Sequence, residues 1–295
     1  MAQTPQSEDS FVNVLGARVH YLHAGAGRPI VLIHGLAASC MHWRRNICAL
    51  ASRASVYAID QVNMGKSARI AGLDPSLEAT ADRVAAMMEA LGIGEADIAG
   101  SSHGGSVAWM LAARHRARVR SLILFAPANP YSGFGQVLLR VYNTWPGRLA
   151  VASAPYLPAS VHLYAIRRMY GDPARIPEGC LEAYVSGLKV PGTMKHIQGI
   201  VRGWPAGMER LRNALPLVAD VPTLLVWGDR DRAVDPRSAT ALQRILRRSE
   251  LRILPGGGHL VYEEMPEVVN PILLEWLSRD GSALSASGRD GLQLV

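Results

Sequence analysis

The sequence predicts an α/β protein: a mostly parallel sheet with helices on both faces and a helical segment inserted late in the chain. Short, uniformly apolar runs alternate with longer amphipathic ones, as buried strands joined by crossover helices do. At one strand-to-helix junction stands a serine between glycines, Gly100-Ser101-Ser102-His103-Gly104. The alternation then breaks between Asn129 and about Asn213, where convincing strands are missing.

The elements follow in order. Phe11–Leu15 and Arg18–His23 flank Gly16 and read as an N-terminal hairpin. Pro29–Ile33 (PIVLI) is a buried strand ending at His34-Gly35, and Ser55–Ile59 (SVYAI) is another ending at Asp60. Ser76–Leu91 is a helix, because Thr80, Val84, Met87/Met88 and Leu91 fall on one face. Ala96–Gly100 is a short strand and Gly105–Arg114 a helix. Ser121–Ala126, Thr223–Trp227 and Leu251–Leu254 are further strands, and Glu267–Leu277 is the closing helix. This divides the chain into a core (1–128 and 214–278), a helical lid (129–213) and a small polar tail (279–295) expected to fray.

Composition narrows the function classes. A chain of 295 residues can bury a large core. None of its segments reaches the roughly 18 to 20 apolar residues of a membrane span, so stable membrane insertion is not expected. The polar start MAQTPQSEDS is neither a secretory signal nor an Arg-rich transit peptide. Three cysteines, Cys40, Cys48 and Cys180, lack metal-type spacing and point to a reducing cytoplasm. The net charge of +7 rests almost wholly on arginine. It suggests nucleic acid only weakly: zinc spacing, a basic dimer helix and an RNA-binding aromatic signature are all missing, so no nucleic-acid partner is expected. A monomer or a homodimer fits equally.

The paired serines pose the central question. A strand that enters a helix through a sharp turn strains the central residue and crowds its neighbours two before and two after. Glycine relieves that crowding because it has no Cβ. Centring on Ser102 places Gly100 and Gly104 at those positions; centring on Ser101 places Ala99 and His103 there. Ser102 is therefore the tip of a G-x-S-x-G nucleophile elbow. His103 is not its base, since its side chain leaves from the helix start and cannot easily turn back. Its main-chain N–H, at a helix N-terminus, suits an oxyanion.

At this point the chain resembles the α/β-hydrolase family. The resemblance runs from about Phe11 to Leu277, interrupted by the insertion, and rests on four places. They are His34-Gly35-Leu36, Asp60–Ser67 (DQVNMGKS), the elbow, and the pair Trp227–Asp231 (WGDRD) with Gly256–His259 (GGGH). Asn63 departs from the family's usual glycine, although asparagine tolerates a left-handed backbone. The resemblance implies a sheet of about eight strands with the lid after the sixth. It also implies a Ser102–His259–Asp231 triad and an oxyanion hole from the Leu36 and His103 N–H groups. Asp229 and Asp235 compete with Asp231, and the family's W-G-x-x-D spacing selects Asp231. The other place where some members carry the acid falls near Asn129, which has no carboxylate. No metal or organic cofactor is implied. His20 and His23 read as structural, with no clustered carboxylate beside them.

The substrate is less legible. The lid aromatics, among them Tyr131, Phe134, Tyr142, Trp145, Tyr156, Tyr164, Tyr170, Tyr184 and Trp204, suit an apolar acyl or ring pocket or simply the lid's own core. Residues 129–213 hold ten Arg/Lys against four acids. That excess reads as a solvated face or as a positive mouth that steers anionic substrates; the solvated face is preferred. The leading expectation is a serine hydrolase that cleaves a carboxylic ester through an acyl-enzyme. A C–C bond hydrolase of β-diketones shares the machinery, and a small-molecule receptor or other non-catalytic binding protein is the alternative of another class. A serine at 102 argues against haloalkane dehalogenase and epoxide hydrolase chemistry, which need a carboxylate nucleophile.

Overall fold

A computed structural model of the chain describes residues 7–133, 136–279 and 293–294. The elements, in chain order, are β1 (Glu8–Val14), β2 (Ala17–Ala24), β3 (Pro29–Ile33), α1 (Ile47–Leu50), β4 (Ser55–Ile59), α2 (Leu77–Ala90), β5 (Ala96–Ser101), α3 (His103–Arg114) and β6 (Val119–Phe125). Five helices follow without a strand: α4 (Gln136–Asn143), α5 (Trp145–Ser153), α6 (Ala159–Met169), α7 (Cys180–Val185) and α8 (Thr193–Ala214). Then come β7 (Thr223–Gly228), α9 (Arg237–Ile245), β8 (Ser249–Leu254), α10 (Val261–Glu264) and α11 (Pro266–Ser278). The sheet order is β1-β2-β4-β3-β5-β6-β7-β8, antiparallel across β1, β2 and β4 and parallel from there on. Gln293–Leu294 add a two-residue ninth strand parallel to β8.

The central strands are buried on both faces, which explains their unbroken apolar runs. Val31, Ile33, Leu122, Leu124, Leu225 and Trp227 pack into one layer of the core. Their alternating neighbours Ile30, Leu32, Ile123, Phe125, Leu224 and Val226 pack into the other. Helix α2 starts where Ser76 accepts the Ala79 N–H at 3.2 Å, an N-cap that satisfies one orphan donor. The N-terminal hairpin turns at Leu15 and Gly16, both with positive φ.

Several boundaries differ from the sequence reading. Helix α3 begins at His103, not Gly105, because the elbow delivers the chain directly into helical geometry. The inserted helices run to Ala214, one residue beyond the expected lid boundary. Residues 293–294 of the expected frayed tail lie beside β8, whereas 280–292 and 295, like Phe134, fall outside the described residues.

His20 does have clustered carboxylates. Its Nδ1 lies 2.8 Å from Asp60 Oδ2 and its Nε2 2.7 Å from Asp9 Oδ1. The antiparallel pairing of β2 with β4 brings Asp60 to this ring, and no local spacing announces that. Asp60 also accepts the Cys40 and Lys66 N–H groups, each at 2.7 Å. Gly65 passes so close that a Cβ there would lie 2.1 Å from the Asp60 carboxylate. His23 instead meets Ser55 Oγ at 3.0 Å.

Burial alone would raise the Asp60 carboxyl, but the His20 hydrogen bond, His34 and the two N–H donors hold it below its ordinary 3.8. Burial would lower His20, but its bonds to Asp60 and Asp9 outweigh it and raise it above 6.5. The Asp60 contribution to stability is therefore present above 3.8 and lost as pH falls through the depressed folded value. The His20 contribution is complete below 6.5 and lost as pH rises through the elevated folded value. Asp60→Asn should cost about 3 kcal/mol near pH 6, as for breaking other buried pairs. Denaturant titrations across pH should show its gap to wild type narrowing on both the acid and the alkaline side.

Candidate active site

Ser102 lies between β5 and α3 with φ 52° and ψ −120°, a backbone conformation that costs a non-glycine residue about 1–3 kcal/mol. The surroundings hold it there. Its N–H donates to Phe125 O at 3.0 Å, and its carbonyl accepts the Ala128 and Gly105 N–H groups at 2.9 and 3.0 Å. A Cβ on Gly100 would lie 2.4 Å from the Gly104 carbonyl oxygen. One on Gly104 would lie 2.4 Å from both the Ile33 and His34 carbonyl oxygens. The two glycines thus stand where the backbones of elbow, helix and β3 touch.

The turn after β3 abuts the elbow: a Cβ on Gly35 would sit 3.4 Å from Ser102 Cβ. Buried His34 shapes this turn. Its Nδ1 lies 2.8 Å from Gly35 O, and its Nε2 accepts the Gln61 N–H at 3.1 Å. That pattern fits the neutral ring, which burial also favours. Leu36 follows, half-buried beside Ser102 in one cavity. His103 opens α3, so its N–H has no acceptor within the helix. Its side chain is buried, its ring centroid 6.0 Å from that of Trp204. Burial, with His34 and His196 nearby, pushes its pKa down to about 3, so the imidazole is neutral.

Asp231 and His259 come from the loops after β7 and β8. His259 Nδ1 lies 2.8 Å from Asp231 Oδ2, and both side chains are buried. A carboxylate can only accept, so Nδ1 carries the proton and Nε2 is left as acceptor. Asp231 Oδ1 takes the Ala233 and Val234 N–H groups at 2.7 and 3.0 Å. The competing acids are engaged elsewhere, Asp229 with the Gly256 N–H at 2.7 Å and Asp235 with Arg237. Asn129 bonds Pro127 O and Ser238 Oγ.

Several positioning groups escaped sequence reasoning. The His259 N–H donates to Met169 O of the inserted segment at 2.7 Å. Buried Glu264 accepts three N–H groups, from Gly258 at 2.7 Å, Asp172 at 2.8 Å and Gly171 at 3.0 Å. A Cβ on Gly228 would meet Gly257 O at 2.2 Å, and one on Gly258 would meet Gly171 N at 2.4 Å. The run Gly256-Gly257-Gly258 was the available signal, since successive glycines mark close backbone approach.

Two cavities meet at Ser102. One of about 610 Å3 is walled by Asn129, Arg140, Tyr142, Trp204 and Arg212. The other, of about 300 Å3, holds Leu36, His42, Ile166, Tyr184, His259 and Tyr262. Tyr142, Trp204 and Tyr184 thus line cavities, whereas Trp145, Tyr156 and Tyr164 point outward, 69%, 75% and 63% exposed, in neither a pocket nor a lid core. Metal-type donors do converge elsewhere: His20, Cys40 and Asp60 offer ligand atoms within 4.8 Å of one another. The Asp60 oxygens there are already taken by Cys40 N, Lys66 N and His20, so the cluster is a hydrogen-bonded lock joining the hairpin to β4.

A nucleophile-type turn opposite a histidine–carboxylate pair, at the ends of parallel strands, defines a class of α/β enzymes. A family model described as alpha/beta hydrolase fold matches residues 28–266, and the chain belongs to that family. It is 30% identical, over 94% of its length and 71% of the relative's, to the dihydrolipoyllysine-residue acetyltransferase component of the acetoin cleaving system of Pseudomonas putida. It is 28% identical to the 2-hydroxy-6-oxo-6-(2'-aminophenyl)hexa-2,4-dienoic acid hydrolase of Metapseudomonas resinovorans, covering 92% and 91% of the two chains. The solved structure of Cfl2 from Burkholderia cenocepacia shares the fold, with TM-score 0.82, 20% identity, and 94% and 98% of the chains covered.

Gly104→Ala should lose at least about 2 kcal/mol of stability, because its Cβ meets backbone on two sides and nothing flexible can yield. Chemical denaturation midpoints measure this, and Gly94→Ala, which meets open space, is the control.

Proposed function

We propose that this hydrolase-family enzyme cleaves a carboxylic ester through a Ser102 acyl-enzyme, with His259 as base and Asp231 as its orienting acid. The observation that carries this reading is the His259–Asp231 hydrogen bond of 2.8 Å opening onto the same cavity as strained Ser102. In this scheme the His259 Nε2 takes the Ser102 proton as Oγ attacks the ester carbonyl. The oxyanion is met by the N–H groups of Leu36 and His103, each worth roughly 10²–10³-fold in rate. His259 then returns the proton to the departing alcohol. Water, deprotonated by His259 in turn, releases the acid and restores Ser102. Asp231 holds the imidazole in the tautomer with a free Nε2 and stabilises its charged form. The two cavities that meet at Ser102 provide separate room for acyl and leaving parts. The larger one carries Arg140 beside an ion-paired Arg212 and Glu209, so its polar wall is of mixed charge.

A second reading is C–C bond hydrolysis, favoured by the 28% identical dienoic acid hydrolase. It uses the same residues, so the leaving group decides between the two.

Ser102→Ala should fold with an unreduced melting temperature yet lose roughly 10⁴-fold or more of p-nitrophenyl butyrate turnover. Asp231→Asn should lose roughly 10³–10⁴-fold through the wrong tautomer. A steady-state panel of esters and β-diketones against wild type and both variants measures this. Retained turnover in Ser102→Ala, or failure of a fluorophosphonate to label folded wild type, refutes the assignment.

A further inference from the structure

The outer face of the inserted helices is apolar and cationic where water-facing helices are ordinarily polar. Val141 of α4 and Trp145 and Leu149 of α5 are 51%, 69% and 54% exposed. Tyr156, Leu157, Val161 and Tyr164, in the turn after α5 and along α6, are exposed as well. Of the fourteen exposed large apolar side chains among the described residues, seven lie within residues 141–164. Scattered exposed apolar residues need no explanation; half of them gathered in one short segment do. The helices bend by 101° between Trp145–Tyr156 and Ala159–Met169, and among the described residues no single helix is long and apolar enough to cross a membrane. Apolar side chains exposed on short, bent helices suit contact along a surface.

The charge selects the surface. From Tyr131 to Gly171 the sequence has no acid, and of its four arginines Arg167 and Arg168 are exposed on α6, Arg148 is half-buried and Arg140 walls the larger cavity. The ion pairs of the inserted segment lie elsewhere, at Arg175–Asp172, Arg210–Glu78 and Arg212–Glu209. A second copy laid across this face would oppose arginine to arginine with no carboxylate between them. An anionic bilayer supplies the missing charge, and tryptophan, tyrosine and arginine are the side chains suited to its headgroup level. The inner sides of the same helices reach the catalytic cavities, through Tyr142 and Asn143 of α4 and His162 and Ile166 of α6.

We infer that this face docks on an anionic phospholipid bilayer, with Trp145, Leu149, Tyr156 and Tyr164 at the headgroup boundary and Arg167 and Arg168 on the headgroups. This is peripheral attachment, set by apolar burial and charge together. It does not depend on the chemistry assigned to Ser102, and the test reads binding alone.

The full chain is sedimented with vesicles of phosphatidylcholine and of 7:3 phosphatidylcholine:phosphatidylglycerol. Wild type and Ser102→Ala should both pellet with the anionic vesicles, at least about tenfold more than with the neutral ones, and about 0.5 M salt should release them. Arg167→Gln/Arg168→Gln should weaken binding about fivefold per arginine. Trp145→Ser/Leu149→Ser should weaken it at least about tenfold. Both variants alter exposed side chains, and unchanged thermal melts verify their folding. Failure of folded wild type to pellet, or pelleting that neither double variant changes, overturns the inference. So does a doubled solution mass that Trp145→Ser/Leu149→Ser halves, since the face would then join two copies of the chain.

Discussion

The site depends on one steric constraint: the backbone of the elbow touches the backbone of its neighbours with no room for a Cβ. Gly104 sits on the Ile33 and His34 carbonyls, and Gly100 sits on Gly104. These contacts force Ser102 to positive φ and set its side chain beside two cavities. They also set Gly35 against Ser102, which brings the Leu36 turn to the same spot. The strain at Ser102 persists because hydrogen bonds from β6 and the loop after it fix the residue at both its N–H and its carbonyl. The backbone of Ser102 is thus fixed before any ligand arrives.

The same device recurs around Asp231 and His259. Gly228 touches Gly257, and Gly258 touches Gly171, so the loops after β7 and β8 and the inserted segment interlock through main chain. Met169 and Glu264 then fix the resulting arrangement with hydrogen bonds to backbone N–H groups. Backbone contacts of this type position a side chain more tightly than side-chain packing does, because no rotamer can absorb a displacement.

Legibility from the sequence followed the range of each interaction. Ser102 was separable from Ser101 because the relevant glycines lie within two residues. The buried strands were readable because both faces are apolar, as PIVLI and SVYAI show. The pairing of Asp231 with His259 required a resemblance to a known family, since the two stand 28 residues apart and Asp229 and Asp235 offer the same chemistry. The His20–Asp60–Asp9 lock was misread because it arises from strand pairing across 40 residues. The role of Met169 was invisible in principle: its carbonyl, not its side chain, makes the contact, and every residue has one. The outward position of Trp145, Tyr156 and Tyr164 was not legible, because an aromatic side chain suits a pocket, a core or an exposed face alike.

The inserted segment is joined to the rest of the chain by contacts of different kinds. At the end of α6, the Met169 carbonyl holds the His259 N–H and Glu264 grips Gly171 and Asp172. Lifting this end would remove two of the three N–H donors of a buried carboxylate and release His259 from its anchor. The α4–α5 side meets α8 through hydrogen bonds from Asn143 to Val201 O at 3.3 Å and from Gln198 to Arg148 O at 2.8 Å, and through packing of Leu139 and Tyr142 against Ile197, Ile200 and Val201. Neither bond involves a charged group. The end of α6 is thus tied through a buried carboxylate to the loop that carries His259, whereas α4 and α5 rest on α8 through neutral hydrogen bonds and apolar contact, so His259 takes its position partly from the α6 end of the inserted segment.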